Sequence, residues 1–255
     1  MPEPSLLVER LNAIGQALEQ SGQGLALLGL GSVGVELSRM DIYSDLDFFA
    51  IVQPGSKQRF VDSTDWLEAI HPVGYCFKNT ADGCKLMFAD GVFCEYAVFE
   101  PEELAGIPFA PGRIVWQAEG FDAAVCTPGP PPARSSDREW LIGEALTNLY
   151  VGLCRYRRRE KLVALRFIQS YAVDRVLDLA ALAQAPSPDA LPDPFQIERR
   201  FEQRYPSATA YLPAMLQGYE RIPESAVAIL GWLKDTCSPN QTMVREIEAL
   251  LKNGV

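Results

Sequence analysis

Two aspartates at the head of an apolar run constrain this chain more than any other feature. Asp45 and Asp47 flank Leu46, and an apolar segment follows them as far as Val52. In an extended strand, residues i and i+2 point to the same face, about 6.5–7 Å apart. An apolar strand gains nothing from two charges on one face, because each charge costs free energy to bury. Carboxylates in this arrangement are suited to holding one or two Mg²⁺ ions at the edge of a sheet.

A glycine-rich turn precedes the aspartates. The apolar segment 24–28 predicts a buried strand, and it leads directly into the sequence Gly29-Leu30-Gly31-Ser32-Val33-Gly34. Glycines let a backbone approach phosphate oxygens closely, and backbone amides in such turns donate hydrogen bonds to them. A phosphate-binding turn followed by a carboxylate pair favours phosphoryl or nucleotidyl transfer.

The same glycines also match the G-x-G-x-x-G pattern of dinucleotide-binding proteins. That pattern expects a strand before it, a full helix after it, and an acid at the end of the second strand. Here the acids come before the second strand, and the segment from Ser32 to Asp41 is short for a crossover helix. The order of the residues therefore argues against a dinucleotide site. A tight structural turn with incidental acids is the other alternative.

A third carboxylate lies in a later apolar strand. Glu95 is the only charged residue between Val92 and Phe99, where it is costly to bury without a metal, a partner or water. The pairs Asp82-Gly83 and Asp90-Gly91 predict hairpin turns before this strand. We expect these turns to bring Glu95 beside the Asp45/Asp47 strand in a small mixed sheet.

These residues resemble the nucleotidyltransferase superfamily that includes DNA polymerase beta. Its signature is Gly-Ser, about a dozen residues, then Asp-x-Asp or Asp-x-Glu, with a third carboxylate on a later strand. Within the superfamily, the chain is most similar to the lincosamide and aminoglycoside antibiotic nucleotidyltransferases, and the similarity extends over most of residues 24–180. The matching positions are Gly31, Ser32, Ser44, Asp45, Asp47 and Glu95.

The resemblance implies a Mg²⁺-dependent enzyme that moves a nucleoside monophosphate from a nucleoside triphosphate to a hydroxyl of an antibiotic-like small molecule. It implies that Asp45, Asp47 and Glu95 are catalytic and bind the metal, with Glu95 either a ligand or the base that takes the proton. Gly31, Ser32 and Ser44 would bind the triphosphate.

The chain departs from the family pattern in one segment. Ser32 and Asp45 are slightly further apart than is usual, and the intervening residues lack the common small-x-Gly pattern. Arg39 in this segment is either a phosphate or substrate contact or a surface partner of Asp41, and we favour the second.

Composition limits the partners. The 255 residues carry a formal net charge of −10, and the pI is near 4.7, which disfavours binding to nucleic acid backbones. No apolar run approaches the length of a membrane span, and the first residues lack the basic region of a signal peptide. The six cysteines form no CxxC pair and His71 is the only histidine, so a zinc site is not expected. We expect a cytoplasmic protein with no membrane partner, and the resemblance leaves a homodimer as an open alternative.

A proline-rich segment divides the chain. We place a nucleotidyltransferase domain at 1–126 and a helical bundle, expected to bind the acceptor, at 127–255; the predicted fold class is α+β, a small mixed sheet followed by the bundle. Ser136 and Glu139 match a capping box that opens the bundle. Helical patterns also cover 57–70, 195–204 and 207–219.

A cluster of cations lies in the bundle, where five of the seven residues from Arg155 to Lys161 are basic. The cluster is either a triphosphate clamp, with Arg158 and Lys161 as the best candidates, or a solvated helix face.

Two other functions remain open on the same residues. One is a catalytically weak nucleotide-binding or antitoxin-like regulatory protein, and the other is an enzyme that transfers AMP to proteins. The sequence specifies neither the acceptor nor the preferred base.

Overall fold

The computed structural model describes residues 2–188, 190–191, 193 and 195–252. The chain divides into two compact units, Met1–Pro132 and Ala133–Val255, and each is described by itself. The first unit contains the sheet and the second is helical, as the fold class predicted from the sequence requires. None of the described helices has the length and hydrophobicity of a membrane-spanning segment.

The first unit is built on a six-stranded mixed sheet with the strand order β3-β4-β5-β2-β1-β6. Only β2 and β5 run parallel, and all other neighbours are antiparallel. The strands are β1 (Gly24–Gly29), β2 (Leu46–Val52), β3 (Val73–Lys78), β4 (Gly83–Phe88), β5 (Phe93–Phe99) and β6 (Arg113–Gln117).

The antiparallel pairing of β1 with β2 excludes the dinucleotide-binding arrangement. That arrangement needs a parallel strand–helix–strand unit. Between β1 and β2 the chain instead forms two single turns of 3₁₀-helix, Gly31–Val33 and Leu37–Arg39. The order of the acids in the sequence had pointed to the same conclusion.

One face of the sheet is covered by helices. The amphipathic helix α1 (Pro4–Gln20) buries Leu7, Leu11, Ile14 and Leu18 in a core with Phe48 and other strand residues. The single helix predicted over 57–70 is wrong, because it divides into α2 (Lys57–Asp62) and α3 (Asp65–Glu68). The backbone is extended at Ser63, which ends α2.

The second unit packs its helices around one apolar core. The long helices are α4 (Arg138–Arg157), α6 (Val173–Ala183), α10 (Ile222–Thr236) and α11 (Gln241–Lys252). Helix α5 (Lys161–Arg166) continues into α6 through a π-helical segment, Phe167–Ala172. The described residues between α6 and α10 form three single turns, α7 (Phe201–Arg204), α8 (Pro206–Thr209) and α9 (Leu212–Met215).

Two features of the second unit differ from those predicted from the sequence. Asp137, not Ser136, caps α4, because its side chain accepts a hydrogen bond from the amide of Trp140 at 3.1 Å. The helices predicted over 195–204 and 207–219 are only single turns. Pro206 is the first residue of one turn and Pro213 the second residue of another, since proline is tolerated at the first positions of a helix and not in its interior.

A partly buried ion pair in the first unit has a testable effect on stability. Arg10, which is 6% exposed, binds Asp90 Oδ2 at 2.5 Å, and His71 lies 3.7 Å from the same oxygen. Replacing Asp90 with asparagine is expected to lower the free energy of unfolding by about 2 kcal/mol at neutral pH, because the Arg10 guanidinium loses its charged partner. Urea denaturation measures the difference.

The same pair predicts how this effect depends on pH. Burial alone would raise the pKa of Asp90, but the hydrogen bond and charge of Arg10 lower it below its ordinary value. The stabilisation is therefore complete above the ordinary aspartate pKa and is lost as the pH falls through the lowered value. The difference between Asp90→Asn and the parent chain should shrink in acid. A difference that stays constant down to pH values below that range contradicts the assignment.

Candidate functional site

Two of the three predicted carboxylates lie side by side on the sheet. Asp47 of β2 and Glu95 of β5 are register partners on parallel neighbouring strands, so their side chains leave the same face of the sheet. The adjacent pair, Phe48 and Tyr96, stacks in the core on the opposite face, with ring centroids 5.2 Å apart. Asp47 and Glu95 are both half-buried.

Asp45 lies immediately before β2. It is half-buried like Asp47, and the charges of both aspartates act on the same neighbour, Cys94. Burial raises the pKa of the Cys94 thiol, and the two carboxylates raise it further. Both aspartates therefore lie at the start of β2, next to the position that Glu95 occupies on β5.

The glycine-rich turn packs against Asp47. The amide of Leu30 donates a 2.8 Å hydrogen bond to the carbonyl of Asp47, which fixes the turn at the start of β2. Gly31 has a φ of +52°, and a Cβ atom there would lie 3.2 Å from Asp47 Oδ2. The Arg113 side chain braces the turn through a 3.1 Å hydrogen bond to the carbonyl of Val33. The absence of a side chain at Gly31 thus allows the backbone of the turn to lie close to the Asp47 carboxylate.

The two predicted serines have different surroundings. Ser32 is 4% exposed, and within the described part of the chain its hydroxyl makes no hydrogen bond. Ser44 closes the turn that leads into β2: its hydroxyl accepts from the amide of Asp41 at 3.0 Å and lies 3.3 Å from Asp41 Oδ1. The structure thus gives Ser44 a local structural role and leaves the Ser32 hydroxyl available as a donor.

Glu95 has partners that the sequence analysis missed. Lys85 of β4 is its cross-strand neighbour and binds Glu95 Oε2 at 3.1 Å, and the side-chain amide nitrogen of Asn79 lies 3.5 Å from Oε1. Counting outward from a two-residue Asp90-Gly91 turn would place Leu86 opposite Glu95, so the hairpin signal alone did not identify this pair. The side chain of Glu95 is 45% exposed, which makes the pair accessible to a ligand.

The described residues contain no group of three histidine, cysteine, aspartate or glutamate side chains arranged to hold a metal ion. Mg²⁺ does not require such a group, because it usually binds one or two carboxylates and completes its shell with water and substrate phosphates. The donor chemistry at Asp45 and Asp47, beside the open backbone of Gly31, fits this mode of binding.

Arg39 has a different ion-pair partner from the one predicted. It pairs with Glu36 at 2.7 Å, not with Asp41. One of its terminal nitrogens lies 3.7 Å from the position that a Gly31 Cβ would occupy. A cation therefore lies beside the turn and Asp47. The helical turn Leu37–Arg39 explains the choice of partner, because residues three apart are neighbours on a helix.

The two predicted cations of the helical unit have local surroundings of their own. Arg158 follows α4 as its C-terminal cap and is exposed. Lys161 binds Glu220 at 2.9 Å and lies 5.3 Å from the centre of the Tyr219 ring. The partner of Lys161 is thus a carboxylate within the same unit, and its role in phosphate binding stays a prediction.

Substitution of Gly31 tests whether this turn matters for binding. For a turn that binds a polyphosphate, Gly31→Ala is expected to reduce that binding by about a hundredfold, because the added Cβ presses on Asp47 and strains a left-handed backbone. Gly55→Ala is the matched control, since Gly55 has a φ of +82° and nothing within 4 Å of its Cβ position. Equal binding by the two variants, measured by titration, contradicts a role for the turn.

Comparison with known proteins gives distant structural similarities only. No protein-family model and no curated protein matches the chain. Among solved structures, the chain is similar to an aminoglycoside 6-adenyltransferase from Bacillus subtilis, with 11% identity, a TM-score of 0.34, and coverage of 95% of this chain and 90% of the other.

Two further structures align with nearly the whole chain. They are the Thermotoga maritima CCA-adding enzyme complexed with tRNA, with 12% identity, a TM-score of 0.36, and coverage of 98% of this chain and 73% of the other; and the Bradyrhizobium diazoefficiens CD-NTase CdnG in complex with GTP, with 15% identity, a TM-score of 0.33, and coverage of 98% and 94%. At these scores the similarities transfer no residue role and no substrate to this chain.

Proposed function

We propose that this chain transfers a nucleoside monophosphate from a nucleoside triphosphate to a hydroxyl of a small molecule. One observation supports this proposal above the others: Asp47 and Glu95 are register partners on parallel strands, and the backbone of Gly31 approaches Asp47. A carboxylate pair beside a glycine-serine turn suits a polyphosphate bound through a divalent ion.

In this proposal the chain mainly positions the reactants. Asp45 and Asp47 would hold Mg²⁺, which neutralises charge on the triphosphate when bound. The amides of Gly31 and Ser32 and the Ser32 hydroxyl would donate to the terminal phosphates. Ser44 would support the turn that delivers Asp45, and Arg158 and Lys161 stay proposed as additional phosphate contacts.

The reaction exchanges one phosphorus–oxygen bond for another. The acceptor oxygen forms a bond to the α-phosphorus, the bond from that phosphorus to the bridging oxygen breaks, and pyrophosphate leaves. Glu95 would take the hydroxyl proton, with Lys85 orienting its carboxylate. Because little covalent chemistry is required, positioning and charge neutralisation would determine the rate.

The two units would have different roles in the reaction. Residues 1–126 would form the nucleotidyltransferase domain, and residues 127–255 would provide acceptor contacts. The formal net charge of −10 supports a small-molecule acceptor more than a nucleic acid.

Label transfer tests the proposal. The chain is incubated with Mg²⁺ and either α-labelled or γ-labelled ATP or GTP, together with a panel of hydroxylated small molecules that includes lincosamides and aminoglycosides. Label from the α-position on a small molecule, with none from the γ-position, is the expected result. Transfer of the γ-label contradicts the proposal, because it indicates a kinase.

A second candidate is nucleotide binding without transfer. The ion pair between Lys85 and Glu95 favours it, because Lys85 already occupies a carboxylate oxygen that an acceptor hydroxyl would have to reach. Tight, Mg²⁺-dependent triphosphate binding with no label on any acceptor supports this candidate. Label on protein supports the third possibility, transfer of AMP to proteins.

A further inference from the structure

An exposed apolar strip lies on the same face of the sheet as the carboxylates. We define the aromatic strip as Tyr75 and Phe77 of β3, Met87 of β4 and Phe93 of β5. Tyr75, Phe77 and Met87 are 56%, 52% and 41% exposed, and Phe93 is half-buried. Large apolar side chains that are this exposed and adjacent to one another usually mark a binding surface.

The strand register makes the strip continuous with the candidate site. Tyr75, Met87 and Phe93 are successive cross-strand partners, and they form one row across the sheet. Phe77 is the first member of the next row, which continues through Lys85 and Glu95 to Asp47. Neighbouring strands lie about 4.8 Å apart, so Phe77, three strands away, is about 14 Å from Asp47. Met87 lies on β4, the strand next to β5, and is closer to Glu95 than Phe77 is.

Two lysines near the strip are already paired with carboxylates. Lys85 binds Glu95, and Lys78, next to Phe77 in the chain, binds Asp62 at 3.3 Å. The strip therefore presents no unpaired cation or anion of its own, and it favours a neutral, apolar part of a ligand. A surface of amines, as in an aminoglycoside, does not match it.

The area of the strip suits a small molecule. A large side chain such as an aromatic one has about 150–250 Å² of surface to bury. Tyr75, Phe77 and Met87 are each about half exposed, so together they offer about 300 Å². A stable interface between proteins needs about 800 Å² on each partner. The strip is too small for such an interface and comparable to one face of a ring system or a short alkyl chain.

We propose that the aromatic strip binds the apolar part of the acceptor. This inference rests on the proposed function of the carboxylates, and it narrows the substrate class to amphipathic molecules. Such an acceptor carries a hydroxyl at one end and a flat or aliphatic apolar group about 5–10 Å away, the distance that one or two strand spacings from Glu95 provide. Contact with the strip then places the hydroxyl at Glu95.

Binding of two matched probes without nucleotide or metal tests the strip. Phenyl β-D-glucoside and methyl β-D-glucoside carry the same ring hydroxyls and differ only in the apolar group. The phenyl probe is expected to bind at least about tenfold more tightly, as measured by calorimetry or ligand-observed NMR. The double variant Tyr75→Ser/Phe77→Ser should lose this preference. Tyr211→Ser is the matched control, because Tyr211 is 53% exposed in the helical unit.

The outcomes separate the strip from the proposed function. Equal binding of the two probes, or a preference that the double variant keeps, overturns the strip assignment. A dimer in sedimentation velocity that disappears in the double variant also overturns it, because the strip then joins two copies. Asp47→Asn should keep the probe preference while losing label transfer. If it keeps transfer, the proposed function fails whatever the probes show.

Discussion

Replacing Asp47 with asparagine is expected to abolish nucleotidyl transfer while leaving the fold unchanged. The amide has nearly the shape of the carboxylate but removes the charge that lies beside Gly31 and Glu95. Groups that stabilise phosphoryl charge contribute about a thousandfold or more to such reactions. The α-label assay measures the loss of transfer, and circular dichroism checks the fold.

A matched control separates this effect from a general loss of charge. Asp62 lies in the same unit, and its side chain is 59% exposed and pairs only with the exposed Lys78 among the described cations. Asp62→Asn should therefore keep normal activity. If Asp47→Asn retains more than about a tenth of the parent activity, the role assigned to Asp47 is wrong.

The second large effect concerns stability. Asp178 of α6 is 5% exposed, and it binds two arginines: Arg134 at 2.7 Å and Arg175 at 3.2 Å. Asp178→Asn leaves both guanidinium groups without their carboxylate, and the loss of two charged hydrogen-bonding partners from a buried carboxylate costs about 3 kcal/mol. We expect a large decrease in the urea concentration at the midpoint of unfolding, measured by circular dichroism.

An exposed pair in the same unit provides the control. Arg221 and Glu224 are 61% and 48% exposed and bind at 3.3 Å. Glu224→Gln should change the free energy of unfolding by at most about 1 kcal/mol, because solvent screens exposed pairs. Similar effects for the two substitutions contradict a structural role for the buried arrangement around Asp178.

The sheet could be predicted in most of its parts. Alternating and continuous apolar segments, separated by Asp-Gly turns, identified all six strands, and hairpin counting brought Glu95 beside Asp47. These features follow from local chemistry: the four central strands bury one or both faces, and each turn requires a residue that tolerates its backbone conformation. The α+β fold class follows from the same segments and the helical pattern of the second half.

Side-chain partners were harder to predict than strands. Arg39 has acidic residues on both sides in the sequence, and only the turn Leu37–Arg39 selects Glu36 over Asp41. Ser136 and Asp137 both suit the start of a helix, and a difference of one residue in the backbone decides between them. The Lys85–Glu95 pair required the register of two antiparallel strands, which a scan for motifs does not examine.

Short helices also escaped the sequence analysis. The apolar spacing over 57–70 and 207–219 is helical, but the chain breaks at Ser63 and restarts at Pro213. Periodicity reports which residues are buried and does not report where the backbone changes direction. The aromatic strip was missed for a related reason, because Tyr75 and Phe77 match an ordinary buried strand in the sequence and only the fold leaves them exposed.

A crystal structure with a non-hydrolysable nucleoside triphosphate and Mn²⁺ in place of Mg²⁺ tests the central claim most directly. The anomalous signal of Mn²⁺ locates the ion independently of the surrounding density. We expect the ion about 2.2 Å from a carboxylate oxygen of both Asp45 and Asp47, and the terminal phosphates against the amides of Gly31 and Ser32. A nucleotide bound on the helix-covered face of the sheet, or an ion that contacts neither aspartate, contradicts the account.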